Sequence, residues 1–221
     1  MTAYLKHIIC SDMRKQLLFI LTLCILPLSA QNSADKLLQK TVSKLEKDGG
    51  IAMSLHAEIK SDDGTDHIGL VLKMSGSSFY AQEDDNIIWF DGKTMWNAKN
   101  YGQGIEEIYI TTPTPEEKAR YDIISLLSKH QGFTVNGNGT DTFVLIASNA
   151  QHSVEGIHTI TATVDPQTNV FKAISIVFAE ELGNITATVL VNEYLPDQKF
   201  DKSTFTCPVK DYKDAEIIDL R

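Results

Sequence analysis

The chain has 221 residues, of which 43% are apolar, and its formal net charge is −9. This apolar content is sufficient for a folded core, which excludes a disordered chain. The acidic balance disfavours nucleic acid or an anionic membrane surface as the main partner.

The first thirty residues have the pattern of an export signal. Arg14 and Lys15 precede the apolar run QLLFILTLCILPLSA, and Ala30 is a small residue at a suitable cleavage point. The run is shorter than the about 20 residues that a membrane-spanning helix needs. We therefore predict a signal peptide over residues 1–30 with translation from Met13, one domain over 31–221, and export of the mature chain.

The cysteines support the same division of the chain. Cys10 and Cys24 lie in the predicted leader, and Leu23 before Cys24 is too large for a lipoprotein leader. The mature chain would keep only Cys207, which rules out an internal disulfide or a cysteine metal cluster there. Loss of the leader changes the balance from 20 basic and 29 acidic residues to 17 and 28, a net charge of −11.

Residues 33–47 are predicted to form an amphipathic helix. Four apolar residues fall on one face and lysines lie on the other: Leu37, Leu38, Val42 and Leu45. Ser33 is suited to cap its start, and Asp48-Gly49-Gly50 ends it. A helix with a single apolar face must lie on another element.

From Ile51 the apolar period changes from helical to two, which is typical of strands. Short alternating segments follow, joined by polar turns: IAMSLHAEIK, HIGLVLKM, FYAQ, IIWF, TMWNA and IEEIYI. A second amphipathic helix is predicted between Pro113 and Gly132, and strands resume after it. The fold class is mainly β (α+β), an unclosed antiparallel half-barrel of about 10–11 strands covered by two or three helices.

A long meander curls, and its concave face then needs a cover. If the two helical segments fill the concavity, the result is a packed core. If they only form a lid over it, the result is an apolar pocket. The sequence leaves both arrangements open.

Catalytic chemistry has little support in the sequence. The histidines outside the leader have no metal-ligand spacing, and there is no G-x-S-x-G motif. Glu106 and Glu107 are adjacent in a predicted strand and point to opposite faces. We predict no catalytic residue, no metal, no cofactor and no enzymatic activity.

The two tryptophans of the chain, Trp89 and Trp96, lie on the arms of one predicted hairpin. Asp91-Gly92 supplies its reversal. The pair either fills a small core or lines a surface that binds an apolar guest, and of the two we expect Trp89 to contact such a guest.

Several motifs resemble the periplasmic outer-membrane lipoprotein carrier (LolA-like) family over about residues 33 to 219. They are the hairpin FDGKTMWNAKN, the DIISLL helix, the D-P-x-T-N turn and the ending GNITATVLVNEYLPDQKFDKSTFTCPVKDYKDAEIIDL. Related lipoprotein-localisation receptors and sigma-factor-regulator domains share the half-barrel.

The resemblance implies a carrier without covalent chemistry, whose apolar cavity holds the acyl chains of lipoproteins. Its implied partners are acylated lipoproteins, an inner-membrane lipoprotein-releasing transporter and, in some lineages, an outer-membrane receptor, and the chain is expected to be a monomer. The alternative is a non-transporting envelope sensor or scaffold with the same half-barrel.

The sequence departs from the family at one position. The family has a basic residue followed by Arg-Pro after the strand aligned with residues 68 to 74, and that arginine helps to latch the lid. Here the stretch is Lys73-Met74-Ser75, so a latch at Met74 would have to be apolar.

The inward faces of the predicted strands and helices give the candidate cavity lining. It comprises Met53, Leu55, Leu70, Leu72, Phe79, Trp89, Trp96, Ile124, Leu127, Ile174, Ile176 and Phe178.

Overall fold

A computed structural model gives the fold of the protein. It describes residues 33–83, 85–102, 104–114, 133–147, 156–180 and 183–221. The predicted second helix lies almost wholly outside these ranges.

Within the described residues, one helix is followed by twelve strands and two short 3₁₀ turns. In chain order these are α1 (Ser33–Lys47), β1 (Gly50–Ser61), β2 (Gly64–Ser75), β3 (Ser78–Glu83), β4 (Asn86–Phe90), β5 (Met95–Asn100), β6 (Ile105–Thr111), β7 (Phe133–Asn136), β8 (Thr142–Ala147), β9 (Ile157–Val164), β10 (Phe171–Phe178), β11 (Thr186–Gln198), η1 (Lys202–Phe205), η2 (Val209–Asp211) and β12 (Glu216–Asp219).

All twelve strands belong to one sheet with the order β12-β6-β5-β4-β3-β2-β1-β11-β10-β9-β8-β7. Neighbouring strands are antiparallel except β12, which pairs with β6 in parallel. The two end strands, β12 and β7, do not pair with each other, so the sheet stays open. This confirms the predicted unclosed antiparallel architecture. The described residues contain twelve strands against the 10–11 predicted. The strand that the sequence did not indicate is β12, a four-residue strand in a tail without clear alternation.

Helix α1 has the predicted bounds, and its apolar face packs against β7 and β8. Its buried side chains are Ala34, Leu37, Leu38, Thr41, Val42 and Leu45. Gly49 has a φ of 63°, the left-handed conformation that ends many helices at low cost in glycine. At the other end, the Ser33 hydroxyl donates to the carbonyl of Asn138 at 3.2 Å, which ties the helix to the β7–β8 turn.

A buried carboxylate connects the end of α1 to β11. Asp48 is 4% exposed, forms an ion pair with Lys44, and accepts a hydrogen bond of 2.7 Å from the Tyr194 hydroxyl. Its carbonyl oxygen accepts from the backbone N–H of Asp197 at 2.8 Å. Burial, with the bond to Asp48 as the second cause, raises the pKa of Tyr194 far above its usual range. These contacts hold the helix over one side of the sheet.

The sheet carries apolar side chains on both of its faces. We call the face that packs against α1 the inner face. Its strand side chains form one cluster with the helix, and the cluster includes Leu55 from β1, Leu72 from β2, Ile160 from β9 and Ile176 from β10. This cluster is the core of the protein.

The opposite, outer face has a second and smaller cluster under the C-terminal segment. Trp89, Ala98, Ile108, Ile110 and Cys207 are its buried members. Partly buried residues of the tail, including Val209 and Tyr212, pack on them. The segment from η1 to β12 therefore covers the β4–β6 part of the outer face, and β12 also pairs with the edge strand β6.

The Tyr194–Asp48 contact gives a stability prediction. We expect Tyr194→Phe to lower the free energy of unfolding by about 1–2 kcal/mol, because a buried charged acceptor loses a donor. Tyr101→Phe is the matched control: it removes an exposed hydrogen bond to Glu107 and should cost less than about 0.5 kcal/mol. Urea unfolding of both variants measures this, and equal losses would contradict it.

Cys207 should be unreactive in the native protein. It is 6% exposed, and burial raises the pKa of its thiol to about 12, so thiolate is scarce at pH 8. We expect iodoacetamide to label the Cys207 peptide at least about a hundredfold more slowly than the cysteine of Leu190→Cys, whose site is 46% exposed on the outer face. Mass spectrometry gives both rates. Comparable rates would show that the tail does not protect the outer cluster.

Candidate functional site

Most residues of the predicted cavity lining lie on the inner face. Six predicted residues are buried members of its cluster, and two more are partly buried and pack against it. The buried six are Leu55, Leu70, Leu72, Ile174, Ile176 and Phe178, and the partly buried two are Met53 and Phe79. Ile124 and Leu127 lie outside the described residues.

The two tryptophans lie on the other face, which corrects their inclusion in this lining. Trp89 is directly opposite Trp96 in the β4–β5 ladder, and both belong to the outer cluster. Tyr80 and Tyr212 flank Trp89, with ring centroids 5.7 and 6.3 Å away. Side chains alternate between the two faces along a strand, so Ile88 and Phe90, on either side of Trp89, point to the inner face. The tryptophans fill the small core beneath the tail.

The Asp91-Gly92 turn fixes this register. One carboxylate oxygen of Asp91 accepts from the backbone N–H groups of Lys93 at 2.8 Å and Thr94 at 2.7 Å, and Gly92 has a φ of 91°. Trp89 and Trp96 are then cross-strand partners. The run IIWF is apolar throughout, so alternation alone could not assign its faces.

Much of the inner-face cluster was missing from the predicted lining, and four of the missing residues lie on β2, β4 and β5: Met74, Ile88, Phe90 and Met95. The Phe90 ring lies 5.5 Å from the ring of Phe79, its partner on β3. Met74, at the departure from the family pattern, is also opposite Phe79 and is 8% exposed. The side chain at the family's latch position is therefore part of an apolar surface. The sequence did offer a signal that Phe90 faces inward: β3 and β4 are joined by a short turn, and this pairs Phe90 with the inward-facing Phe79.

Polar side chains occupy one end of the inner face. Asn86 on β4 is opposite Lys99 on β5, and Lys99 is in turn opposite Glu107 on β6. Asn97, two residues before Lys99 on β5, is opposite Tyr109 on β6. The Tyr109 hydroxyl donates to Glu107 at 2.8 Å, and this bond raises the pKa of the phenol. The inner face thus changes from apolar at Phe79 and Phe90 to polar at this end.

A lysine-lined groove of about 520 Å³ lies on the solvent side of α1. Its lining residues are Lys36, Gln39, Lys40, Ser43, Lys44, Lys47 and Asn169. This groove lies on the polar side of the helix, away from the inner cluster, and its lining is unsuited to acyl chains.

The described residues contain neither a cluster of potential metal ligands nor a membrane-spanning helix. In that part of the chain, no group of three or more histidine, cysteine, aspartate or glutamate side chains is arranged to hold a metal ion. Among the same residues, no helix has the length and apolar character needed to cross a membrane.

Several solved structures are similar to this chain over most of its length. An uncharacterized conserved protein from Thermus thermophilus is 13% identical, with a TM-score of 0.49, over 82% of this chain and 98% of that one. A putative outer membrane lipoprotein-sorting protein domain from Vibrio parahaemolyticus is 12% identical, with a TM-score of 0.38, over 79% and 97%. A LolA superfamily protein from Nitrosomonas europaea is 8% identical, with a TM-score of 0.41, over 81% and 100%.

A search of curated proteins gave no match. The family model described as "Outer membrane lipoprotein carrier protein LolA" matches residues 27–179, which is more than half of the chain. The open sheet and its inner helix agree with the architecture that the sequence motifs implied. The chain therefore belongs to the family of the outer membrane lipoprotein carrier protein LolA.

Proposed function

We propose that this protein is a periplasmic carrier that binds the acyl chains of lipoproteins on the inner face of its sheet and moves them from the inner towards the outer membrane. The observation that carries the proposal is the continuous apolar inner face, to which β1–β5 and β8–β11 all contribute. Membership of the family supports it.

The physical basis of binding is transfer of hydrocarbon from water. Each buried CH₂ group contributes about 0.8 kcal/mol, so an apolar surface holds acyl chains without ionic anchors. Seven strand residues that pack on the inner-face cluster are only partly buried. One is Tyr194, whose hydroxyl donates to Asp48, and the other six are best placed to contact such chains: Met53, Phe79, Phe133, Val135, Phe171 and Val191.

Loading and release require the apolar surface to be uncovered and covered again. We propose that Met74 takes the place of the family's arginine and that its contacts there are apolar. Apolar contacts of this kind form without a fixed hydrogen-bond geometry. The element that covers the inner face would then separate from Met74 whenever acyl chains compete for the same surface.

The protein would reach its site of action by export. Residues 1–30 would direct export and be removed, leaving residues 31–221 as the carrier. The proposed partners are an inner-membrane lipoprotein-releasing transporter and an outer-membrane receptor where one exists. The protein would act without a cofactor and without covalent chemistry, as a monomer.

Binding should depend on the acyl chains of the cargo. We expect the protein to co-elute on a sizing column with a triacylated lipoprotein, and to leave the non-acylated form of the same protein unbound. Equal binding of the two forms would contradict the carrier and favour a scaffold that recognises protein surfaces.

The inner face should be the surface that binds. We expect the double variant Met53→Ala/Phe79→Ala to weaken binding of a triacylated peptide by roughly tenfold or more, because it removes partly buried apolar contacts. The matched control is Leu190→Ala, which shortens an apolar side chain that is 46% exposed on the outer face. Titration calorimetry compares them, with circular dichroism to verify folding. Equal weakening by both would place the lipid elsewhere.

A further inference from the structure

The polar end of the inner face contains an amide without a hydrogen-bond partner. Asn86 is 2% exposed, and neither its side-chain nitrogen Nδ2 nor its oxygen Oδ1 is hydrogen-bonded. On β5, the buried side-chain oxygen Oδ1 of Asn97 also lacks a partner. These are all the buried, unpartnered side-chain atoms in the part of the chain that the structure describes.

The two asparagines share one face and lie close together. Asn86 is opposite Lys99, and Asn97 is opposite Ile88, which places the asparagines diagonally across the β4–β5 ladder. Diagonal neighbours on one face of an antiparallel pair are about 7–8 Å apart, so one small polar group can contact both. Ile88, between Asn86 and Phe90 on this face, belongs to the apolar cluster.

An unpartnered buried amide is costly and rare. Most buried polar side-chain atoms in proteins have a partner, and leaving one without a partner costs stability that an apolar side chain of similar size would not. A β4 strand selected only for stability would have an apolar residue at this position. The amide is explained if another molecule supplies its partners.

We propose that Asn86, assisted by Asn97, binds the carbonyl-containing ester and amide groups that join acyl chains to the cysteine of a lipoprotein. This inference rests on the proposed function and adds a polar subsite to it. The Nδ2 atom of Asn86 donates to a linkage carbonyl, and the Oδ1 atoms of Asn86 and Asn97 accept from an amide N–H. The chains themselves extend from there along Ile88, Phe90 and Phe79.

The arrangement matches the shape of such a ligand. A lipoprotein anchor has its ester and amide groups at one end and hydrocarbon beyond them. The inner face has the same order, because the asparagines lie at one end of β4 and β5 and the apolar Phe90–Met95 pair lies at the other. Docking in the reverse direction would bury hydrocarbon against two amides.

The test compares two probes with identical chains. One is a cysteine peptide with a diacylglyceryl group, and the other is its dialkyl ether analogue, which lacks the ester carbonyls. We expect the native protein to bind the ester probe roughly fivefold more tightly, as one added hydrogen bond allows. In Asn86→Leu this ratio should fall to about one, while the ether probe still binds and the ligand-free protein is at least as stable as before.

Gln82→Leu is the matched control, since it makes the same amide-to-leucine change on the exposed outer side of β3 and should keep the fivefold ratio. Asn97→Leu is the second variant and should lower the ratio if Asn86→Leu does not fold. A ratio of one in the native protein would overturn the inference and assign the asparagines to bound water. A native protein that binds neither probe would instead refute the proposed function.

Discussion

A wide sheet with apolar side chains on both faces has to keep both of them from water, and this requirement organises the whole molecule. Burial of apolar surface is the main favourable term in folding, so each face needs its own cover. Helix α1 covers part of the inner face, and the C-terminal segment covers the β4–β6 part of the outer face. The two covers divide the sheet into two surfaces with different properties.

The outer cover has the features of a fixed structural element. The tail packs on a tryptophan pair, buries Cys207 and ends as a strand that pairs with β6, so its removal would expose both aromatic surface and a sheet edge. The inner face differs, because several of its aromatic and aliphatic side chains are only partly buried, and buried side-chain atoms of Asn86 and Asn97 have no hydrogen-bond partner. A surface with these properties is suited to exchanging its contacts with a ligand.

The sequence predicted the architecture well and the faces less well. Strands with clear alternation, such as β2 with Ile68, Leu70, Leu72 and Met74, were assigned to the correct face because one set of their side chains is apolar and the other, apart from Val71, is polar or glycine. The IIWF strand is apolar on both faces, so its orientation depends on pairing with β3 and β5, and both tryptophans were placed wrongly. Strand β12 was not predicted, because four residues are too few to show an alternating pattern. Its parallel pairing with β6 also depends on contacts between residues far apart in the sequence.

Lipid binding on the inner face can be measured by tryptophan fluorescence. The two native tryptophans lie in the outer cluster, so the intrinsic fluorescence of the protein reports on the outer face alone. Acyl chains that carry bromine quench tryptophan only on close contact. With a brominated triacylated peptide, we expect the native fluorescence of Trp89 and Trp96 to stay unchanged, while the added tryptophan of Phe79→Trp is strongly quenched. Quenching of the native pair, with the Phe79→Trp signal unaffected, would contradict lipid binding on the inner face.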